Sequence, residues 1–313
     1  MRLRVTGAML LVAGAAHAAP VTLICQGLGG EAAFDEQFSA QVTALRRAAA
    51  SVGGEASLHV LAGHECTHAA LAAQFRQLSG QLTADDRFAL YLVGHGSFDD
   101  DDYRFNMPGP DVTGRELQAW LNALPAREQL VVATGSSSGA LQDLLKSPQR
   151  VVLTGTRSGA ERNATRFGKE FAAALDDAAA DADKDGSVSV KEAFDYAQKR
   201  VQEYYQVEVR IASEHAVLAG ERAPRLAVAR LVTAGSATAG GGSALADAVA
   251  ADAAATARVV ETPERRTLLT AIEALRQRKA ELATGDYYTQ LEPLLLRLAR
   301  LDVGAGAAPG AAP

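Results

Sequence analysis

Cysteine occurs only twice in 313 residues. That is too few to frame a disulfide-stapled small domain or a thiolate zinc cluster. Basic charge is also scarce, with 31 Lys and Arg against 37 Asp and Glu for a formal net charge of −6. A surface built to neutralise phosphates carries the opposite balance, so a nucleic-acid partner is not expected. Beyond the first residues no apolar stretch of membrane-spanning length occurs, so no transmembrane segment is expected after removal of a leader. What remains is 48% hydrophobic and 22% charged, and long enough for one large or two modest domains.

The leader is itself informative. Arg2 and Arg4 precede an apolar run over residues 5–16, and Ala16-His17-Ala18 supplies the small-x-small pattern cut by signal peptidase. Residues 1–18 are therefore expected to be a signal peptide, making the mature chain periplasmic or secreted. Without Arg2 and Arg4 the balance is 29 basic against 37 acidic residues, net −8. Cys25 and Cys66 then meet an oxidising compartment, and the sequence leaves open whether they pair.

Residues 19–230 alternate short β-branched runs with longer helical periodicity. Strands are expected over 21–27, 57–63, 87–96, 129–135 and 150–156, and helices over 34–52, 67–82, 113–124 and 162–175. This alternation predicts parallel βαβ units with right-handed crossovers. Phe88 to Val93 and Leu130 to Ala133 are almost continuously apolar, as central strands covered on both faces are. In such sheets chemistry gathers at the carboxyl ends of the strands. Residues 231–260, rich in Ala, Gly and Ser and including Gly240-Gly241-Gly242, read as a linker. Residues 261–302 carry two leucine-rich helical patterns joined near Gly285-Asp286, a helical hairpin. Residues 303–313 read as a disordered tail.

Two constellations carry chemistry. In the first, Asp181, Asp183, Asp185, Ser187, Ser189 and Glu192 stand at positions 1, 3, 5, 7, 9 and 12 of a twelve-residue loop, with Gly186 at the sharp turn. This is the oxygen-ligand spacing of an EF-hand, flanked by helical sequence, and it predicts a structural Ca2+ site. In the second, Gly94-His95-Gly96 ends one expected strand and Ser136-Ser137-Ser138-Gly139 ends the next. Adjacent strands would bring an imidazole and a hydroxyl to one cleft.

The second constellation resembles the caspase and legumain group of cysteine peptidases, in which one strand ends in His-Gly and a following strand in Ala-Cys-x-Ser-Gly. The likeness extends through Gly27-Leu28-Gly29-Gly30-Glu31, residues 105–111, Thr156-Arg157-Ser158-Gly159-Ala160-Glu161 and the acidic loop, over about residues 20–220. It implies a caspase/legumain-like three-layer α/β sandwich with a mostly parallel sheet. It also implies that His95 is the acid/base, that Gly96 lends an oxyanion donor and that position 136 is the nucleophile. Here position 136 is Ser. A thiol is a few per cent ionised at neutral pH, whereas a hydroxyl needs an oriented base in contact. The resemblance therefore implies an exported peptidase-fold protein with lost or attenuated proteolysis, binding a protein or peptide partner in its cleft or on the helical hairpin.

Other readings compete. Gly135-Ser136-Ser137-Ser138-Gly139 fits the Gly-x-Ser-x-Gly elbow of serine hydrolases, with Ser137 as nucleophile and His215 as a late histidine, although the sequence places no acid clearly. His64-Glu65-Cys66-Thr67-His68 matches a zincin motif, but Gly63 and Thr67 put a strand-to-helix boundary inside it. Asp99 to Asp102 would select a basic substrate side chain if they faced the cleft, and otherwise form a solvated turn. Arg157 and Glu161 are expected to form an ion pair rather than line a pocket.

Overall fold

The computed structural model describes residues 20–231 and eight helical residues further on: Thr267, Leu268, Ala271, Leu275, Gln290, Pro293, Leu294 and Arg297. The expected signal peptide, nearly all of the linker, most of the hairpin and the tail lie outside the described residues. The chain divides into two compact units, Met1–Ser236 and Ala237–Pro313. No helix among the described residues is long and apolar enough to cross a membrane.

The first unit begins with β1 (Val21–Gln26), α1 (Ala32–Gly53), β2 (Leu58–Leu61), α2 (His68–Gln81) and β3 (Arg87–Val93). A small antiparallel sheet follows, made of β4 (Gly96–Phe98), β5 (Tyr103–Phe105) and β6 (Val112–Thr113). Then come α3 (Gly114–Ala123), β7 (Glu128–Ala133), α4 (Leu141–Leu144), β8 (Arg150–Thr154) and α5 (Phe167–Ala174). The unit ends with β9 (Ser187–Ser189), α6 (Val190–Val207), β10 (Val217–Ala219) and β11 (Ala227–Arg230).

The main sheet runs in the order β10-β8-β7-β3-β1-β2, parallel except for antiparallel β10. Alternation along each strand sends its side chains to two separate cores. Ile24, Tyr91, Val132 and Leu153 face one, with Phe38 and Leu45 of α1, Phe171 of α5 and Phe194 of α6. Leu23, Leu90, Val131 and Val152 face the other, with Leu71 and Phe75 of α2, Leu117 and Leu121 of α3 and Leu141 of α4. Burial of such side chains contributes about 1.5–3 kcal/mol each. The result is three layers around a mostly parallel sheet, and the apolar runs of β3 and β7 are central because both faces are covered.

Several boundaries differ from the sequence expectation. The expected strand over 87–96 stops at Val93 and restarts as β4 in the small sheet. The helix expected from residue 162 starts at Phe167, where the buried Glu214 carboxylate accepts from the backbone N–H groups of Arg166 (2.8 Å) and Phe167 (2.9 Å). A distant acid thus does the work of a local cap. On the acidic loop, helix follows directly as α6, but α5 ends at Ala174 and turns fill the interval before Asp181. The Thr113–Glu116 and Ser189–Glu192 capping boxes both form.

Candidate functional site

β3 and β7 are hydrogen-bonded neighbours in register from Arg87 with Glu128 to Leu92 with Ala133, so the segments leaving them emerge side by side. Glycine lets them touch. A Cβ at Gly135 would lie 2.2 Å from the Gly94 carbonyl oxygen, and one at Gly96 would lie 2.7 Å from the Ser136 carbonyl oxygen. The sheet therefore places His95 and Ser136 on adjoining strand exits. The His95 ring packs edge-on against Phe34 and Phe38 of α1, with centroids 4.6 and 5.1 Å away. This burial lowers its pKa below the ordinary histidine value, although the Gly29 carbonyl and the Glu31 carboxylate favour the charged form. The His95 carbonyl accepts from Asn106 N at 3.1 Å.

The serine turn is held from the loop after β8. Ser138 Oγ accepts from Gly155 N at 3.1 Å, and Gly139 N donates to Thr156 Oγ1 at 2.8 Å. Ser138 is thus occupied structurally. Ser136 and Ser137 are 4% and 1% exposed. Ser137 adopts a left-handed backbone, φ 56° and ψ 4°, and its N–H donates to the Glu161 carbonyl at 2.8 Å. Positive φ is uncommon outside glycine.

Among the described residues, two buried side-chain polar atoms have no hydrogen-bond partner, Ser137 Oγ and Asn106 Oδ1. Native interiors satisfy nearly all such atoms. One belongs to the neighbour of Ser136, and the other to the residue bonded to the His95 backbone. Among the described residues no hydrogen bond joins His95 to Ser136 or Ser137.

A second histidine has the partner that the sequence did not assign. His215 Nδ1 lies 2.7 Å from Glu161 Oε1, and its backbone N donates to Glu161 Oε2 at 3.0 Å. Arg157 Nε pairs with the same carboxylate at 3.1 Å, the ion pair expected from sequence. No local pattern announces the link, because Glu161 and His215 are far apart in the chain. His215 also lines a surface cavity of about 550 Å3 with Phe167, Tyr205, Arg210 and Glu214, which neither Ser136 nor Ser137 lines.

The acidic loop brings together the carboxylates of Asp181, Asp183 and Asp185, with oxygens all within 4.8 Å of one another. Asp181 is buried and accepts from Asp185 N (3.2 Å) and Gly186 N (3.1 Å). Asp185 Oδ1 accepts from Ser187 N and Oγ at 2.8 and 2.6 Å, and these bonds hold its carboxyl below the usual range. Gly186 takes the positive φ of 86° that the turn requires. Glu192 Oε1 reaches back to Ala182 N at 2.8 Å, while Oε2 accepts from Ser189 N and Oγ at 2.9 and 2.8 Å. Burial raises the Glu192 pKa, but the bonds from Ser189, Ala182 and Asp183 outweigh it and the net shift is downward. β9 within the loop pairs antiparallel with β11. The donor set, hard oxygens with one buried carboxylate, suits a calcium-sized cation.

The remaining candidates resolve into structure. His64 lies in a 3-10 turn over Gly63–Glu65, while His68 opens α2 and bonds Glu116 Oε1 at 2.9 Å, so the zincin spacing straddles an element boundary. Asp99 caps its own turn and pairs with Arg104 (2.8 Å), Asp101 pairs with Arg115 (2.8 Å) and Asp100 with Arg162 (3.6 Å). These acids are neutralised locally.

No protein-family model and no curated protein matches this chain. Among solved structures, drICE, a caspase, aligns at 12% identity over 65% of this chain and 87% of its own, with a TM-score of 0.39. A protein of Geobacter sulfurreducens aligns at 13% identity over 68% of this chain and 97% of its own, with a TM-score of 0.41. The described residues form a mixed α/β architecture with a mostly parallel central sheet and several helices.

Proposed function

We propose that this chain is an exported, caspase/legumain-like protein whose proteolytic activity is lost or attenuated and whose cleft binds a protein or peptide partner. The observation that carries the reading is the uncoupled pair at the strand exits. His95 leans on Phe34 and Phe38, and no hydrogen bond connects it to Ser136. A thiolate can attack without a base in contact, but a serine hydroxyl cannot, so Ser at this position removes the reactivity that the family geometry exploits. Several kcal/mol of barrier follow, each 1.36 kcal/mol being tenfold in rate. Export is part of this proposal and is supported by the signal-peptide pattern of residues 1–18.

A second reading is favoured by one observation. Ser137, Glu161 and His215 occur in the order nucleophile, acid, histidine, and Glu161 holds His215 by Nδ1, the nitrogen an orienting acid uses. A working serine hydrolase would then use Ser137. One experiment separates these readings. The full chain and its Ser136→Ala and Ser137→Ala variants are treated with a fluorophosphonate probe. Absence of labelling in all three is expected. Labelling abolished by Ser136→Ala overturns the lost-activity reading, and labelling abolished only by Ser137→Ala establishes the second one. In parallel, Ser136→Cys is expected to gain thiol-dependent peptide cleavage.

The acidic loop completes the proposal. Asp181, Asp183, Asp185, Ser187, Ser189 and Glu192 would hold Ca2+ as a structural staple, with β11 taking the place that a partner loop's strand occupies in paired EF-hands.

A further inference from the structure

Cys25 and Cys66 come together from different parts of the chain. Cys25 lies in β1 opposite Leu61 of β2 and Leu92 of β3, and Cys66 lies between β2 and α2. Both are 0% exposed, and their sulfurs are 2.9 Å apart, within about 1 Å of a covalent S–S bond of ~2.05 Å. Here they stand as free thiols, with Cys66 Sγ donating to Cys25 Sγ, a pairing that apolar filling of the core around Leu71 and Phe75 does not itself call for. We propose that Cys25 and Cys66 form a disulfide in the functional protein.

The bond forms by exchange with a small or protein disulfide such as glutathione disulfide. Two S–H bonds break, one S–S bond forms within the chain, and both protons and both electrons pass to the donor, which leaves as two thiols. Since both sulfurs are fully buried, exchange takes place while the chain is folding. Once closed, the bond is shielded from reductant, which makes it a staple and not a switch. In the reduced protein the adjacent Cys66 thiol and burial push the Cys25 thiol up, so re-oxidation of the folded state is slow. The bridge has a local consequence for the site. It anchors β1 just before Gly27, which donates to the Val93 carbonyl at 2.9 Å and abuts the Asn106 carbonyl.

The full chain refolded in glutathione redox buffer is denatured without reductant in the presence of an alkylating agent, and its intact mass is measured. No alkylation and a mass two hydrogens below that of the reduced chain are expected, whereas two alkylated thiols overturn the proposal. Cys66→Ala and Cys25→Ala are each expected to lower Tm by about 10 °C under oxidising conditions, with much of that difference disappearing when wild type is reduced. A Cys66→Ala Tm equal to that of oxidised wild type also overturns it. If Cys25→Ala does not fold, the alkylation assay and Cys66→Ala still decide. Neither readout depends on partner binding or catalysis.

Discussion

Gly135 and Gly94 are in backbone contact, so close that a methyl group on Gly135 would stand 2.2 Å from the Gly94 carbonyl oxygen. The obstacle is backbone, which cannot rotate away as a side chain can. Gly135→Ala is therefore expected to force the exits of β3 and β7 apart, at a cost of about 1–3 kcal/mol. Gly80, near the end of α2, has nothing within 4 Å of an added Cβ. Gly80→Ala is expected to be neutral or to stabilise by up to about 1 kcal/mol. Urea unfolding of the two variants checks the contrast, and equal midpoints would show that the glycine contact does not constrain the site.

His95 packs on two phenylalanines and is partly desolvated, and its pKa lies below 6.5. The neutral ring is the form that folding favours. Below pH 6.5 the unfolded chain takes up a proton while the folded chain lags, so this group's contribution to stability is present above pH 6.5 and is lost as pH falls through the folded pKa. Wild type is expected to lose stability relative to His95→Gln as pH falls below about 6.5. NMR titration of the ring checks the cause directly. A midpoint at or above 6.5 would mean that the ring is solvated and the aromatic contacts are loose.

The main sheet is readable from sequence because its physics is local. Apolar runs such as Phe88 to Val93 announce strands covered on both faces, and glycines at their ends mark where the chain turns. The placement of His95 beside Ser136 follows from strand adjacency alone. Other features depend on partners that no local window contains. β4, β5 and β6 have three, three and two residues, too short to leave a periodic signal. α5 takes its start from Glu214, and β9 finds its partner in β11 far along the chain. The same holds for Glu161 with His215. Each is an ordinary residue until tertiary contact supplies its role.

The acidic loop offers the most direct test of a ligand. Its three aspartates crowd together, and a divalent cation would relieve their repulsion. Calcium is expected to bind the full chain with a dissociation constant of about 10⁻⁴–10⁻³ M, the range of extracellular modules, and to raise Tm reversibly on addition and chelation. Magnesium demands near-ideal octahedral geometry and is expected to bind less well. The informative variant is Asp183→Asn. Asp183 is exposed and its Oδ1 accepts only from Asp185 N, at 3.1 Å, a bond that an amide oxygen keeps. The substitution removes charge but not the turn, so the cation-free Tm should hold while calcium affinity falls at least tenfold. Glu192→Gln is less clean, because Glu192 also caps α6 through Ser189. Calorimetry that registers no heat at millimolar calcium, together with a melting curve indifferent to chelator, would reduce the loop to a self-capped acidic turn.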